Sequence, residues 1–275
     1  NTVRRYSEPE DWDIESEVMA AHQRSGIGNL RIKEYMSWDY RIPQNFEHFL
    51  YVGQLLQAEG MKAAFEAHRR AMPYCMGTLY WQLNDCWPVA SWSSTDYYRN
   101  WKAMHYFARE AFKEVIISIH EEDDEIEVFV ASDRLNSFTG EIRVQVMDFD
   151  GNMFYNESQR AYGGANTAGR IFHKKKSDLF KEANLNQTVV VARLTENGKL
   201  LSESIWYPVK PKDLQLPKAR LIKSMSQGKD FIEIVLETDK LIKNLYLSIT
   251  DRSPFFSDNY FDMLPGSTKT IQVKT

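Results

Sequence analysis

The residues best suited to bind a ligand are concentrated in one stretch of the chain, residues 77–101. Four of the seven tryptophans of the chain fall within it. They are Trp81, Trp87, Trp92 and Trp101. The apolar face of a sugar can stack on such rings, and amide and carboxylate groups can hydrogen-bond sugar hydroxyls. Gln82, Asn84 and Asp85 supply those polar groups directly after Trp81. The stretch therefore predicts a carbohydrate-binding site.

Trp81 is the strongest candidate, because its ring could lie flat beneath a sugar and contribute roughly 1–2 kcal/mol. A structural explanation of the same residues is also open. In that explanation Trp81 packs in a core, and Asp85 caps the loop or pairs with an arginine such as Arg99.

Helices and one buried strand are predicted to position this stretch. Residues 1–72 are predicted to be helical, and Asn45 caps a long helix that ends near Ala71. Tyr74 to Leu83 is a nearly continuous apolar run, which predicts a strand buried on both faces. Asp96 to Phe112 again has helical periodicity. Helix, buried strand, loop and helix are the elements of a (β/α)8 barrel, in which active sites lie where the strands end.

The amount of chain available limits this barrel. Eight β/α units need about 250 residues. The spacing of the apolar residues changes from helical to alternating at Val115, which leaves only residues 1–114 for the barrel. Residues 1–114 are therefore predicted to be the C-terminal part of a barrel. The chain also starts at Asn1 without a Met or an apolar signal core, which indicates a cut or processed end.

The rest of the chain predicts β-sandwiches. Residues 125–130 and 141–146 alternate apolar and polar side chains, and Asp148 to Asn152 has the composition of a hairpin turn. After a proline-spaced linker, apolar and polar residues alternate again, for example from Asn244 to Thr250. This part has room for four or five strands, where about seven are expected in a complete sandwich. The last sandwich is therefore predicted to be incomplete.

The predicted fold class is multidomain α/β plus all-β. It consists of a partial (β/α)8 barrel segment followed by two Ig-like β-sandwiches. The predicted divisions are 1–114 for the C-terminal part of the catalytic barrel, 115–209 for the first Ig-like sandwich, 210–217 for the linker and 218–275 for the second sandwich.

Composition argues against several classes of function. The net charge of −4 gives no support to nucleic-acid binding, and the run Lys174-Lys175-Lys176 is interpreted as a solvated turn. No run of 18 uncharged apolar residues predicts a membrane span. Cys75 and Cys86 flank the predicted strand at roughly 30 Å, which predicts two free thiols. Neither a CxxC pair nor a histidine cluster is present, so no metal or cofactor is predicted.

A specific resemblance adds to these inferences. It rests on a motif and on the segments around it. The motif is Gly77-Thr78-Leu79-Tyr80-Trp81-Gln82-Leu83-Asn84-Asp85-Cys86-Trp87-Pro88, followed by Ser91-Trp92-Ser93-Ser94, Asp96-Tyr97-Tyr98 and Trp101-Lys102. This pattern resembles the eighth-strand signature of family 2 glycoside hydrolases of the β-mannosidase branch. The resemblance continues through residues 55–70 and into residues 258–266.

The resemblance implies a function for the longer protein. Members of that family are retaining exo-glycosidases that release terminal β-mannose, with two catalytic glutamates about 5–5.5 Å apart. Neither glutamate-bearing stretch occurs here, so no catalytic residue is assigned and the chain alone is expected to be inactive. The expected partners are a β-mannoside or manno-oligosaccharide substrate and the missing N-terminal part of the same enzyme. A periplasmic or secreted location is favoured over a cytoplasmic one.

The resemblance also implies roles for individual residues. Trp81 would be the floor beneath the sugar in the −1 subsite, and the polar residues after it would be its neighbours at the barrel mouth. Trp87 and Trp92 would line the rim, although core packing explains these two equally well. The six predicted substrate-binding residues are Trp81, Gln82, Asn84, Asp85, Trp87 and Trp92. The loop residues Asp39, Tyr40 and Arg41 could also face the cleft.

Two other functions are considered. The chain could be a non-catalytic carbohydrate- or partner-binding module with Ig-like domains, in which case it would bind sugar without any other chain. It could also belong to another family 2 activity, on galactosides or glucuronides. Gln82 argues against the latter, because those branches carry Asp or Asn directly after the tryptophan.

Overall fold

Helices occupy the first part of the chain and strands the remainder in the computed structural model, which describes residues 2–249 and 252–274. The α-helices are α1 (Glu17–Ala21), α2 (Gly28–Asp39), α3 (Phe46–Arg70), α4 (Ala103–Ala111) and α5 (Lys176–Phe180). The predicted long helix is confirmed as α3, and the Asn45 side chain accepts a hydrogen bond from the backbone N–H of His48 at 3.2 Å. None of the helices in the described ranges has the length and apolar character needed to cross a membrane.

The first β-sandwich confirms the alternating pattern. Its strands are β1 (Val115–Glu122), β2 (Glu125–Ser132), β3 (Phe138–Asp148), β4 (Met153–Gly163), β5 (Thr167–Lys175), β6 (Thr188–Glu196) and β7 (Lys199–Trp206). They form antiparallel sheets in the orders β1-β2-β5 and β4-β3-β6-β7. Alternate residues of each strand, such as Ile142, Val144 and Val146, fill the core between the sheets.

The second β-sandwich has more strands than its sequence predicts. They are β8 (Leu221–Gln227), β9 (Ile232–Thr238), β10 (Ile242–Leu245), β11 (Phe255–Phe256), β12 (Phe261–Met263) and β13 (Thr268–Lys274). The sheet orders are β11-β13-β9-β8 and β10-β12. The strand expected from Asn244 to Thr250 ends at Leu245, and beyond it the backbone N–H and C=O of Leu247 bond the Asn259 side chain, both at 2.8 Å, instead of a neighbouring strand. Thr250 lies outside the described residues.

The strand predicted from Tyr74 to Leu83 is wrong. Tyr74 lies in a turn and the rest of the segment forms no strand, and the described residues before Val115 contain isolated β-bridges only, one of them between Asn84 and Thr95. A parallel barrel strand needs neighbours on both sides for its N–H and C=O groups. Without them Leu79 is 98% exposed rather than buried. The partial barrel is therefore not confirmed as a formed sheet.

The helix predicted from Asp96 begins later, at Ala103. A local turn explains the delay. The Asp96 carboxylate accepts hydrogen bonds from the backbone and side-chain N–H groups of Asn100, both at 2.8 Å. Arg99 in this turn has a left-handed φ of 67°, which no α-helix tolerates. The turn keeps Trp101 and Lys102 outside the helix.

One buried arginine joins the helices to the first sandwich. Arg69, near the end of α3, donates hydrogen bonds to the carbonyl oxygens of Ala111 at 2.8 Å and Lys113 at 2.5 Å. It also forms an ion pair with Asp133 at 2.9 Å, just after β2. Only 8% of its side chain is exposed. The guanidinium therefore satisfies the carbonyls at the end of α4 and fixes that end beside β1.

We predict that Arg69→Ala lowers the free energy of unfolding by about 2–4 kcal/mol, because buried carbonyl oxygens lose their donors. The midpoint of denaturant unfolding measures the loss. Arg143→Ala is the matched control, since the Arg143 side chain is half exposed and bonds only neighbours on its own sheet. A similar midpoint shift in both variants would contradict the anchoring role of Arg69.

Candidate functional site

An open cavity of about 990 Å³ lies between α2, α3, the stretch that carries the tryptophans and the second sandwich. Six exposed aromatic residues line part of it. They are Tyr35, Trp38, Trp81, Trp92, Tyr246 and Phe255. Trp81 and Trp92 are the two predicted site residues that line this cavity, and the structure thus brings them to one place. The other four predicted residues lie outside its lining.

Backbone hydrogen bonds place both tryptophans. The residues after Trp81 are held because the carbonyl oxygen of Gln82 accepts from the N–H of Ser94 at 2.9 Å. The carbonyl oxygen of Trp92 accepts from the Gln57 side chain on α3 at 2.8 Å. The Trp81 ring itself is 75% exposed, and that of Trp92 is 41% exposed. Both rings therefore present surface to the cavity while their backbones are fixed.

Asp85 is the centre of a buried polar network rather than an exposed group. Its side chain is 1% exposed, and its two carboxylate oxygens accept hydrogen bonds from the hydroxyls of Ser91 at 2.7 Å and Ser93 at 2.6 Å. Lys102 donates to the Ser93 hydroxyl at 2.9 Å and lies 3.8 Å from the carboxylate. Because Ser91 and Ser93 flank Trp92, the network fixes the backbone on both sides of that ring.

The charge of Lys102 balances that of Asp85. Burial lowers the pKa of the Lys102 ammonium, while the nearby carboxylates of Asp85 and Asp96 act in the opposite direction. A buried carboxylate without a counter-charge is strongly unfavourable, so the two groups depend on each other. The cation beside Asp85 is Lys102 and not Arg99, the example that the sequence suggested. The sequence offered a signal for it, a lysine directly after Trp101.

Trp87 belongs to a stack of rings at the end of α1. It lies parallel to His22, with ring centroids 4.9 Å apart, and His22 stacks on Tyr6 at 4.4 Å. His22 Nδ1 also lies 2.5 Å from the carbonyl oxygen of Pro88. Burial, followed by the charges of Tyr98, Asp96 and Asp85, raises the pKa of Tyr6 to about 12. Trp87 is thus held by packing and places the loop after Asp85 against α1.

The two remaining predicted residues have different surroundings. Asn84 is exposed, and its amide donates to the carbonyl oxygen of Asp85 at 3.3 Å. Gln82 is half-buried, and its backbone carbonyl accepts the bond from Ser94. Neither residue lines the cavity.

The loop Asp39–Arg41 turns toward the linker. Asp39 pairs with Lys210 at 3.0 Å. The Tyr40 hydroxyl is buried with no hydrogen-bond partner in residues 2–249 and 252–274, and burial raises its pKa. Arg41 is exposed. Of these residues Asp39 alone also lines the cavity.

Metal binding has no support from the side chains that the structure places. No group of three His, Cys, Asp or Glu residues converges on a common point within the described ranges. Cys75 and Cys86 are both free thiols, as predicted.

Family models match both sandwiches. A model described as a mannosidase Ig/CBM-like domain matches residues 124–213, and one described as an Ig-fold domain of mannosidases matches residues 216–275. These matches support the Ig-like assignment of the two all-β parts.

Curated relatives match nearly the whole chain. The β-mannosidase of Capra hircus is 27% identical over 98% of this chain and 33% of its own length. β-Mannosidase B of Aspergillus niger is 25% identical over 99% of this chain and 34% of its own length. The chain thus spans about one third of the curated relatives it matches.

Solved structures have the same fold. The β-D-mannosidase of Dictyoglomus thermophilum matches all of this chain and 33% of its own, at 24% identity and a TM-score of 0.88. The exo-chitosanase of Amycolatopsis orientalis matches 100% of this chain and 38% of its own, at 17% identity and a TM-score of 0.75. At these identities the likeness shows the fold alone.

The ion pair beside Trp92 yields a prediction about stability. Lys102→Met should lower the free energy of unfolding by about 2–4 kcal/mol, because the Asp85 carboxylate stays buried without a counter-charge. Denaturant unfolding followed by tryptophan fluorescence measures it. Combining Lys102→Met with Asp85→Asn should cost less than the sum of the single changes, because both charges are then removed.

The control for this experiment is Lys33→Met, which removes an exposed ion pair with Glu15. An exposed pair contributes little, so this variant should unfold like the wild type. Strict additivity of the Asp85 and Lys102 changes would show that the two groups do not interact.

Proposed function

We propose that this chain, which matches about one third of the length of curated β-mannosidases, forms part of a retaining exo-β-mannosidase of glycoside hydrolase family 2. The whole enzyme would hydrolyse terminal, non-reducing β-D-mannose. In this proposal the chain contributes one wall of the −1 subsite and two accessory Ig-like domains. The acid/base and the nucleophile come from the part of the enzyme that precedes it.

One observation carries the proposal, the Trp81 ring at the cavity. A tryptophan three-quarters exposed beside a large cavity is unusual for a core residue, and its open face suits the apolar face of a pyranose. Trp92 offers a second ring in the same cavity, while Gln82 and Asn84 place amide groups close by. We assign direct stacking to Trp81 and wall contacts to Trp92.

The carboxylates near these rings support a binding role rather than a catalytic one. Asp85 accepts bonds from two serines, and Asp96 accepts bonds from Asn100 and from the Thr2 hydroxyl. Both residues are more than nine-tenths buried. A general acid or a nucleophile must instead reach the glycosidic bond. We therefore propose that Asp85 positions the loop.

We also propose that residues 1–114 complete a (β/α)8 barrel in the whole enzyme. The segment 77–83 lies between α3 and α4 along the chain, which is the order of a barrel strand between two barrel helices. Strands contributed by the preceding part of the enzyme would pair with its backbone groups and cover Leu79. The Ig-like parts would then be 115–209 and 218–275, joined by 210–217.

The isolated chain should not hydrolyse p-nitrophenyl β-D-mannoside, since the proposal places both catalytic glutamates elsewhere. The measurement is nitrophenolate release over many hours, with a known β-mannosidase assayed in parallel. Release above the buffer rate by the purified 275-residue chain would refute the assignment of its catalytic glutamates to another part of the enzyme.

Sugar binding at Trp81 is tested by calorimetry with methyl β-D-mannoside on the whole enzyme that contains this chain, with its two catalytic glutamates changed to glutamine so that the ligand stays intact. Trp81→Ala should weaken binding about tenfold, which corresponds to the ~1.4 kcal/mol expected from the lost ring contact. Tyr162→Ala is the control, because Tyr162 is an exposed aromatic residue of β4 outside the cavity. An unchanged affinity in Trp81→Ala would remove this residue from the subsite.

A further inference from the structure

The second sandwich supplies part of the cavity wall. Tyr246 and Phe255 belong to that sandwich, and both line the same cavity as Trp81 and Trp92. Their rings are 46% and 39% exposed, so each presents a free aromatic surface.

Tyr246 is held in a fixed place by its neighbours. Its ring stacks on Tyr260 with centroids 4.8 Å apart and lies 6.0 Å from the ring of Tyr51 on α3. Two residues earlier, the carbonyl oxygen of Asn244 accepts a hydrogen bond from the Tyr51 hydroxyl at 2.6 Å. The ring is therefore oriented against α3 before any ligand arrives, which lowers the entropic cost of binding.

Phe255 is fixed in the same manner against α4. Its ring meets Trp101 edge to face, with centroids 4.9 Å apart. The carbonyl oxygen of the next residue, Phe256, accepts from the Tyr106 hydroxyl at 3.2 Å. Arg109 then pairs with Asp258 at 2.9 Å. These contacts tie the sandwich to the helix that follows the tryptophan-bearing stretch.

A direct chain of contacts also links this sandwich to the loop around Trp92. The Tyr260 hydroxyl donates to the Gln54 side-chain oxygen at 3.0 Å, and the same oxygen accepts from the N–H of Ala103 at 3.2 Å. Ala103 follows Lys102, which holds Ser93. These contacts fix the position of the second sandwich relative to residues 81–92, which form the other wall of the cavity.

We propose that Tyr246 and Phe255 form a second sugar-binding surface, which takes the sugar unit next to the one on Trp81. The ligand class is a β-linked manno-oligosaccharide of at least two units. This inference rests on the proposed function, because it takes Trp81 as the position of the terminal sugar. Aromatic rings held rigidly at low conformational cost suit this task, since every pyranose has an apolar face.

The test compares ligands of one and three sugar units on the same inactivated whole enzyme. The probes are methyl β-D-mannoside and β-1,4-linked mannotriose, titrated calorimetrically into that enzyme and into its variants Tyr246→Ala, Phe255→Leu and Trp81→Ala. Phe255→Leu keeps an apolar contact with Trp101, and circular dichroism checks that each variant is folded. Tyr162→Ala again serves as the control outside the cavity.

We expect Tyr246→Ala and Phe255→Leu to weaken mannotriose binding about fivefold each, with less than a twofold effect on the monosaccharide. Trp81→Ala should weaken both ligands. The second sugar-binding surface would be refuted if Tyr246→Ala and Phe255→Leu weakened both ligands equally, or if they left mannotriose binding unchanged. Neither result would affect the assignment of Trp81. Unchanged binding of both ligands in Trp81→Ala would instead refute the proposed subsite. If the inactivated enzyme with Trp81, Tyr246 and Phe255 intact binds neither ligand, both proposals are overturned.

Discussion

The buried ion pair between Asp85 and Lys102 is the interaction on which the candidate site depends. It joins Asp85, which follows the segment of Trp81, to Lys102, which precedes α4, and each carboxylate oxygen also accepts a hydrogen bond from a serine hydroxyl. A carboxylate this deeply buried is stable only when charge and hydrogen bonds are both satisfied. The loop around Trp92 therefore has little freedom, and its ring is presented to the cavity in one arrangement.

The second sandwich extends this constraint across the cavity. Tyr260 and Gln54 connect it to the start of α4, and Arg109 connects it to the far side of the same helix. Two parts of the chain that are distant in sequence thus form the cavity walls. Tyr106 and Phe256, for example, are hydrogen-bonded although they lie 150 residues apart. In our proposal the second sandwich is therefore part of the binding surface as well as a support.

Local sequence signals predicted much of the fold. The Asn45 cap and an apolar stripe predicted α3, and strict alternation predicted the first sandwich, because both depend on neighbours within a few residues. The segment 74–83 failed for the opposite reason, since a strand also needs partners from elsewhere. The same limit applies to the site. Trp81 and Trp92 could be selected from residue type. The cation that pairs with Asp85 could not, because the turn at Asp96 decides that it is Lys102 and not Arg99. Tyr246 and Phe255 come next to the cavity only through the tertiary fold.

The central claim is that Trp81 marks the position of a terminal sugar and that the cavity continues toward the second sandwich. A crystal structure of the chain with β-1,4-linked mannotriose tests it most directly. The account predicts that the non-reducing mannose lies flat against the Trp81 ring and that the next unit points toward Tyr246 and Phe255. A sugar bound elsewhere, such as on the exposed face of β4 around Tyr162, with the Trp81 ring uncovered, would contradict it.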